Sequence, residues 1–391
     1  MMNCWSIGAF LVLFLGSFCL WNCLTRDELL DSPDWHGCRD QNGKPVDEFV
    51  VYKLPKDRNS GFGPLREGSA YMYLTPETAV RLQSGGVSSV LSQYSDSASG
   101  WVLSNISINN ERSMLAWTLS RLYSDPERLK NTAYIMYNDE FPNNTKSFTK
   151  GHTKGVVLLT ELGGFWLIHS VPKYPPPPED GYSYPSSGQH YGQTMLCISL
   201  PAHQANNVGQ LLFYNEPFIY SSNMPRALEQ KFAMLDRVIR GEQHPQGPQW
   251  FRIVNLISQR GKRFMAFAKY RKYNDDLYSG LVAPVLKTNI AVETWRNGPH
   301  PLPSSCNGSY RVMNVQSVSA KAAATSFSTH HDHSKWAVAT QPDSSYVCIG
   351  DINRMETQFH RGGGTVCMWS LSIWHRFHSL VQSEEVCPTT G

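Results

Sequence analysis

The feature that most constrains this chain is a hairpin written twice. Residues 152–173 read HTKGVVLLTELGGFWLIHSVPK, and residues 333–354 read HSKWAVATQPDSSYVCIGDINR. They align without a gap: His152 with His333, Thr153 with Ser334, Lys154 with Lys335, Val157 with Val338, Phe165 with Tyr346, Ile168 with Ile349, Val171 with Ile352, and Lys173 with Arg354. Each copy reads as an apolar strand, a turn and a second apolar strand, the turns being Glu161-Leu162-Gly163-Gly164 and Gln341-Pro342-Asp343-Ser344-Ser345. Copies this far apart do not make a solenoid. They fit two halves related by a pseudo-two-fold axis, which predicts an α/β fold with two mixed β-sheets flanked by helices.

The remaining elements agree with that architecture. Glu48–Leu54 reads as a strand, and so do Trp250–Ile257 and Arg263–Tyr270. Ser113–Tyr123 reads as an amphipathic helix. A second helix is expected over Pro225–Arg240, capped by Asn223, with Leu228, Phe232, Leu235, Val238 and Ile239 on one face. Pro175–Pro178, with Gly181, Pro185 and Gly188, marks a loop. The boundary between the halves is expected near 200–220, giving segments 1–23, 24–210 and 211–391.

The segment 1–23 is expected to be a signal peptide. Its apolar run Ile7–Leu20 is short for a membrane span, and Ser17 and Cys19 suit the small-residue positions of a cleavage site. Cleavage after Cys23 leaves six of the nine cysteines: Cys38, Cys197, Cys306, Cys348, Cys367 and Cys387. None forms a CxxC pair, so disulfides account for them better than zinc does. Sequons at Asn105, Asn143 and Asn307 are candidate glycan sites. A chain that is 41% hydrophobic and 17% charged has ample material for a core. Net charge is only +3 with histidines neutral, but protonating all 13 would raise it to about +16. A polyanion would then be held far more strongly in acid.

Chemistry enters through the repeated His-x-Lys. On a strand, residues i and i+2 face the same way, so His152 projects with Lys154 and His333 with Lys335. Two such pairs meeting at an axis suit a phosphodiester. The lysines would neutralise its non-bridging oxygens. One neutral histidine would attack phosphorus, and the other, protonated, would donate to the leaving oxygen. No metal or cofactor is needed.

The paired His-x-Lys hairpin resembles the phospholipase D superfamily. The stretches GHTKGVV, FWLIHSVPKYPPPP, DHSKWAV, CIGDINR, RGGGTVC and CRDQNGKPVDEFVVYKLPK resemble the DNase II family specifically, over nearly the whole chain from Cys38 to Cys387. The resemblance implies two phospholipase D-like halves and a secreted or lysosomal endonuclease. Such an enzyme cleaves DNA without metal, leaving 3′-phosphate and 5′-hydroxyl ends, and contacts DNA mainly through phosphates. It also implies His152, Lys154, His333 and Lys335 as catalytic residues, with His152 the nucleophile by analogy with the superfamily's first motif. The superfamily places an acidic residue five positions after the lysine. Here Leu159 and Thr340 stand there, so the groups orienting the histidines must be sought elsewhere. Gly350-Asp351-Ile352-Asn353 resembles its Gly-Ser-x-Asn pattern, and His169-Ser170-Val171-Pro172 occupies the same place in the first half. His169, Ser170, Asp351 and Asn353 are accordingly expected to contact phosphate or support the catalytic groups, or else to be packed polar groups of the core. The implied disulfides are Cys38–Cys197, Cys306–Cys387 and Cys348–Cys367; spacing alone leaves the pairing open.

Other features read two ways. His330 and His331 are either phosphate readers in acid or plain loop residues. Pro172–Pro178 with Tyr182, Tyr184 and Tyr191 is either an aromatic wall of a DNA groove or an ordinary loop. Arg361-Gly362-Gly363-Gly364 is either a phosphate contact or a flexible turn. Two rival functions share these motifs: a phosphodiesterase acting on phospholipid, and a secreted binding protein that kept the fold without catalysis.

Overall fold

The computed structural model describes residues 35–80, 100–242 and 247–387. The apolar N-terminal run with its cleavage positions, and Cys4, Cys19 and Cys23, lie outside the described residues. Among the described residues no helix is long and apolar enough to cross a membrane.

Two sheets organise the chain. The first contains β1 (Glu48–Lys53), β2 (Tyr71–Leu74), β3 (Val102–Leu103), β4 (Ala133–Tyr137), β5 (Gly155–Thr160), β6 (Gly163–His169), β7 (Gln193–Leu200) and β8 (Ile219–Asn223). Their spatial order is β3-β2-β1-β7-β6-β5-β4-β8. The second contains β9 (Phe251–Ile257), β10 (Arg263–Lys269), β11 (Ile290–Glu293), β12 (Val312–Ala320), β13 (Thr325–Ser328), β14 (Trp336–Ala339), β15 (Tyr346–Gly350) and β16 (Gly363–Trp369), with β17 (Val381–Glu384) paired to β12. Its order is β13-β12-β11-β14-β15-β16-β10-β9. The central ribbons β1-β7-β6-β5-β4 and β10-β16-β15-β14-β11 correspond strand for strand, and every pairing within them is antiparallel. The second sheet is mixed, because β11 and β12 run parallel. The repeated hairpin is β5–β6 in one half and β14–β15 in the other. Strand β8, which lies beyond residue 211, pairs with β4 and so completes the first sheet.

The alternation of side chains shows how the layers stack. Along β5, Val157 and Leu159 enter a core shared by both sheets, while Val156 and Leu158 enter a separate core on the outer face. Along β14, Trp336 and Val338 enter the shared core, and Ala337 faces the outer core of the second sheet. Both faces of the central strands are therefore covered. This is why GVVLLT is a continuous apolar run rather than an alternating one. The outer face of the first sheet is covered by the helix Met114–Ser124, through Met114, Leu115, Leu119 and Leu122. Ser113 caps that helix by accepting from Ala116 N–H at 3.1 Å. The turn between β5 and β6 is tighter than expected: Thr160 pairs directly with Gly163, leaving Glu161 and Leu162 at the tip. Gly163 has φ +126°, and a Cβ there would stand 2.4 Å from the Leu200 carbonyl oxygen, so only glycine fits.

The helix expected over Pro225–Arg240 is broken in two, Arg226–Glu229 and Ala233–Ile239. Phe232 sits between them with non-helical backbone and a fully buried ring. Asn206, from the helix Ala205–Asn215, fills the break: it accepts from Met234 N–H at 3.0 Å and donates to Lys231 O at 3.0 Å. Asn223 does not cap this segment. It ends β8 and donates to the carbonyls of Leu129, Lys130 and Thr132, closing the short helix Pro126–Lys130 instead. Among the described residues there are three disulfides: Cys38–Cys197, Cys306–Cys387, and Cys348–Cys367, the last joining residues paired across β15 and β16. Asn105, Asn143 and Asn307 are all exposed.

Candidate active site

His152 and Lys154 lie in the loop just before β5, and His333 and Lys335 in the loop just before β14, rather than inside those strands. Each motif is built by one half and held by the other. His152 N–H donates to Gly362 O at 2.8 Å, and His333 N–H donates to Gly192 O at 2.8 Å. Thr153, between the first His and Lys, donates its hydroxyl to Asp351 of the second half. In the second motif, Lys335 N–H donates to Thr194 Oγ1 at 3.1 Å. The hydroxyl of Tyr52, on β1, donates to Asp332 beside it. Asp332 in turn accepts from Ser334 N–H at 3.0 Å and from its hydroxyl at 2.8 Å. These crossed hydrogen bonds fix the two His-x-Lys backbones relative to one another, which neither half achieves alone.

The charges around the two histidines are not symmetric. Asp139 follows β4 and contacts Lys154 Nζ at 2.5 Å, Arg361 at 3.3 Å and His152 Nε2 at 3.5 Å. Burial pushes the Asp139 carboxyl up, but the Lys154 ammonium and the Arg361 guanidinium outweigh it and hold the group below its ordinary value. His333 has its Nδ1 at 3.0 Å from Ser170 O and 3.2 Å from Gln193 Oε1. With the proton on Nδ1, that N–H donates to these two oxygens and Nε2 is left unprotonated. Lys335 Nζ lies 3.0 and 3.3 Å from the two ring nitrogens and donates to His333 O at 2.6 Å. Burial, followed by the nearby ammonium groups of Lys154 and Lys335, holds both imidazoles well below the ordinary histidine range. Burial, with Lys154 adding to it, also pulls the Lys335 ammonium well down.

The other nominated residues divide. Ser170 donates to Gln193 Oε1 at 2.6 Å while its carbonyl receives His333. Asp351 accepts from Gly364 N–H at 3.0 Å and from Thr153, and burial raises its carboxyl to about 6. His169 ends β6 with its ring against Tyr174. Its Nδ1 accepts from Val171 N–H at 3.2 Å, and Nε2 is buried without a hydrogen-bond partner. Burial and then Lys154 lower His169 to about 3, so it stays neutral through the acid range. Asn353 is buried, and its Oδ1 has no partner.

The remaining candidates resolve. Arg361 donates to Ser147 O, Lys150 O and Gly151 O as well as to Asp139, which pins the loop leading to His152. Gly362 has no room for a side chain, since a Cβ would stand 2.3 Å from Asn215 O. The Arg-Gly-Gly-Gly stretch is thus a clamp between the halves rather than a loose turn. Tyr182 and Tyr184 donate to Ile108 O and Gly188 O and pack into the outer core of the first sheet. Pro175 and Pro176 are also buried, and their carbonyls accept from Tyr220 and Tyr123. That loop is not a groove wall; of the three tyrosines only Tyr191 reaches the site, packed on Trp295. His330 and His331 are exposed beside the second motif, with His330 bonded to Asn297. Among the described residues, no three His, Cys, Asp or Glu side chains converge as a metal-ligand set.

Arg361 was singled out from the sequence as a phosphate contact or part of a turn, but not as a partner of Asp139; Asp139, Gln193 and Trp295 were not singled out. Two of them become legible when the repeat is extended through the sheet register. Tyr137 pairs with Gly155, and Glu293 pairs with Trp336, each partner being the residue directly after a motif lysine. Asp139 and Trp295, two residues further on, therefore occupy corresponding positions.

Comparison with known proteins agrees with the geometry. The family model for Deoxyribonuclease II matches residues 37–387. Deoxyribonuclease-2-alpha of Mus musculus is 40% identical over 355 residues, covering 90% of this chain and 93% of that protein. Plancitoxin-1 of Acanthaster planci is 36% identical, covering 90% of this chain and 92% of its own. Deoxyribonuclease-2-beta of Homo sapiens is 33% identical over 382 residues, covering 97% of this chain and 96% of that protein. With both His-x-Lys pairs clamped together and the match running the length of the described fold, this chain belongs to the deoxyribonuclease II family.

Proposed function

We propose that this protein is an acid endonuclease that hydrolyses DNA through a phosphohistidine, without a metal, in a lysosomal or secreted setting. The observation that carries the reading is the convergence of His152, Lys154, His333 and Lys335, each pair held by hydrogen bonds from the opposite half. The names of its relatives supply the substrate class.

The chemistry balances without further components. The scissile phosphate sits between the histidines, its non-bridging oxygens facing Lys154 and Lys335. A neutral imidazole attacks phosphorus, forming a P–N bond as the P–O5′ bond breaks. The departing oxygen takes a proton from the other imidazole, giving a 5′-hydroxyl. The second histidine, now neutral, removes a proton from water as that water attacks phosphorus and releases a 3′-phosphate. His333 suits the acid role, because Ser170 O and Gln193 Oε1 both stabilise a proton on Nδ1 of the charged ring. His152 has no such acceptors on Nδ1 and lies among Lys154, Arg361 and Lys335, all of which favour the neutral nucleophile. The lysines and Arg361 furnish positive charge where charge develops.

The test is initial rate on supercoiled plasmid in excess chelator, scanned from acid to neutral pH. Cleavage with an acidic optimum is expected. A strict requirement for magnesium or calcium, or an optimum at or above neutrality, would overturn the reading. An alkaline denaturing quench followed by peptide mapping should find the 3′-phosphoryl DNA fragment on His152; the same adduct on His333 would reverse the two roles.

A further inference from the structure

The pseudo-two-fold axis places different chemistry at corresponding positions beside the two histidines. On the His152 side that position is Asp139, tied up with Lys154 and Arg361. On the His333 side it is Trp295. The indole is half-buried and stands edge-on to the His333 ring, with centroids 5.2 Å apart and planes at 61°. Tyr191, also half-buried, packs on Trp295 at 4.6 Å and 74°. One flank of the reacting phosphate is therefore charged and already internally paired, while the other is an aromatic surface continuous with a catalytic ring.

We propose that Trp295 and Tyr191 form a nucleobase-binding wall that takes the nucleoside on the His333 side of the scissile phosphate. This deepens the nuclease reading and rests on it. With His333 donating to the leaving oxygen, that nucleoside is the one carrying the new 5′-hydroxyl. A DNA strand has a nucleoside on each side of every phosphate, and every base offers a π-face, so such a wall binds without reading sequence. On the charged flank the position corresponding to Trp295 is Asp139, so the two neighbours of the phosphate are held unequally.

The experiment uses single-stranded oligonucleotides with one cleavable phosphodiester, the other linkages being methylphosphonates. The base is removed from the nucleotide on the leaving side, on the other side, or on neither. Base–aromatic stacking contributes roughly 1–3 kcal/mol, so removing the leaving-side base should lower kcat/KM of the unaltered protein about 5- to 150-fold. Removal on the other side should change it less than about twofold. In Trp295→Ala the leaving-side penalty should vanish, in Tyr191→Ala it should shrink, and in Trp295→Phe it should largely return. Because the readout is a ratio of substrates for each protein, a general loss of rate in a variant does not mimic the result. A leaving-side penalty absent from the unaltered protein, present on the wrong side, or undiminished in Trp295→Ala would overturn the wall. No cleavage of the intact oligonucleotide by the unaltered protein would instead overturn the nuclease reading, and the wall with it.

Discussion

Replacing Asp139 by Asn removes one negative charge and almost no volume, at a carboxylate wedged between Lys154 Nζ at 2.5 Å and Arg361 at 3.3 Å. The Lys154 side chain is 1% exposed and that of Asp139 11%, so water cannot replace the lost partner. Breaking a buried ion pair from one side typically costs about 3–5 kcal/mol, a large share of the roughly 5–15 kcal/mol that holds a domain folded. The sign of the pH dependence follows from the lowered Asp139 carboxyl. A carboxylate held below its unfolded value, near 3.9, contributes its full stability above that value and loses it only as pH falls through the folded one. Asp139→Asn should therefore be destabilised equally at pH 7 and pH 5, with the gap to the unaltered protein closing below about pH 4. Urea unfolding at fixed ionic strength measures this. A second variant, Asp139→Asn with Lys154→Met, no longer buries an unpaired ammonium. It should recover much of the stability while remaining inactive. A loss below about 1 kcal/mol at pH 7, or no recovery in the double variant, would refute the view that this ion pair holds the His152 side together.

His152→Asn and His333→Asn should each lower the rate on plasmid by several orders of magnitude in a folded protein, because nucleophile and acid act as a unit; near-normal activity in either would exclude the two-histidine reaction. The pH–rate profile should be bell-shaped and belong to the pair rather than to either ring. Both imidazoles are held well below the ordinary range, so the proton needed for the leaving group is bound only in acid, and the rate should fall as pH rises toward neutrality. Higher salt should weaken DNA binding steeply, since phosphate contacts release counterions; binding indifferent to salt would argue against phosphate recognition. His169, lowered to about 3, stays neutral in the folded state while its unfolded counterpart titrates near 6.5. Its contribution is present above that value and is lost as pH falls, so His169→Gln should flatten the stability slope between pH 6 and 4 by about 1.4 kcal/mol per pH unit. An unchanged slope would mean that His169 is not buried in its neutral form.

Some of this protein could be read from the chain alone because the signals are local. An apolar run broken by a Gly-bearing turn specifies a hairpin wherever it occurs, so β5–β6 and β14–β15 follow from composition and order. Their recurrence with His-x-Lys at the same place predicts a paired site. The amphipathic stripe over Ser113–Tyr123 specifies the helix Met114–Ser124 for the same reason. Other features depend on which surfaces meet. The stripe over 225–240 has helical period, yet Phe232 leaves the helix because the shared core accepts its ring there and Asn206 satisfies the broken backbone. Tyr182 and Tyr184 belong to the outer core, while Tyr191, a few residues on, lies beside His333 through Trp295. The groups that orient the histidines come from the opposite half: Gly362 and Asp351 serve the first motif, and Gly192, Ser170 and Gln193 the second. Sequence spacing describes what lies along one strand. A hydrogen bond or ion pair across a pseudo-two-fold interface depends on packing between residues distant in the chain, and only the tertiary structure decides it.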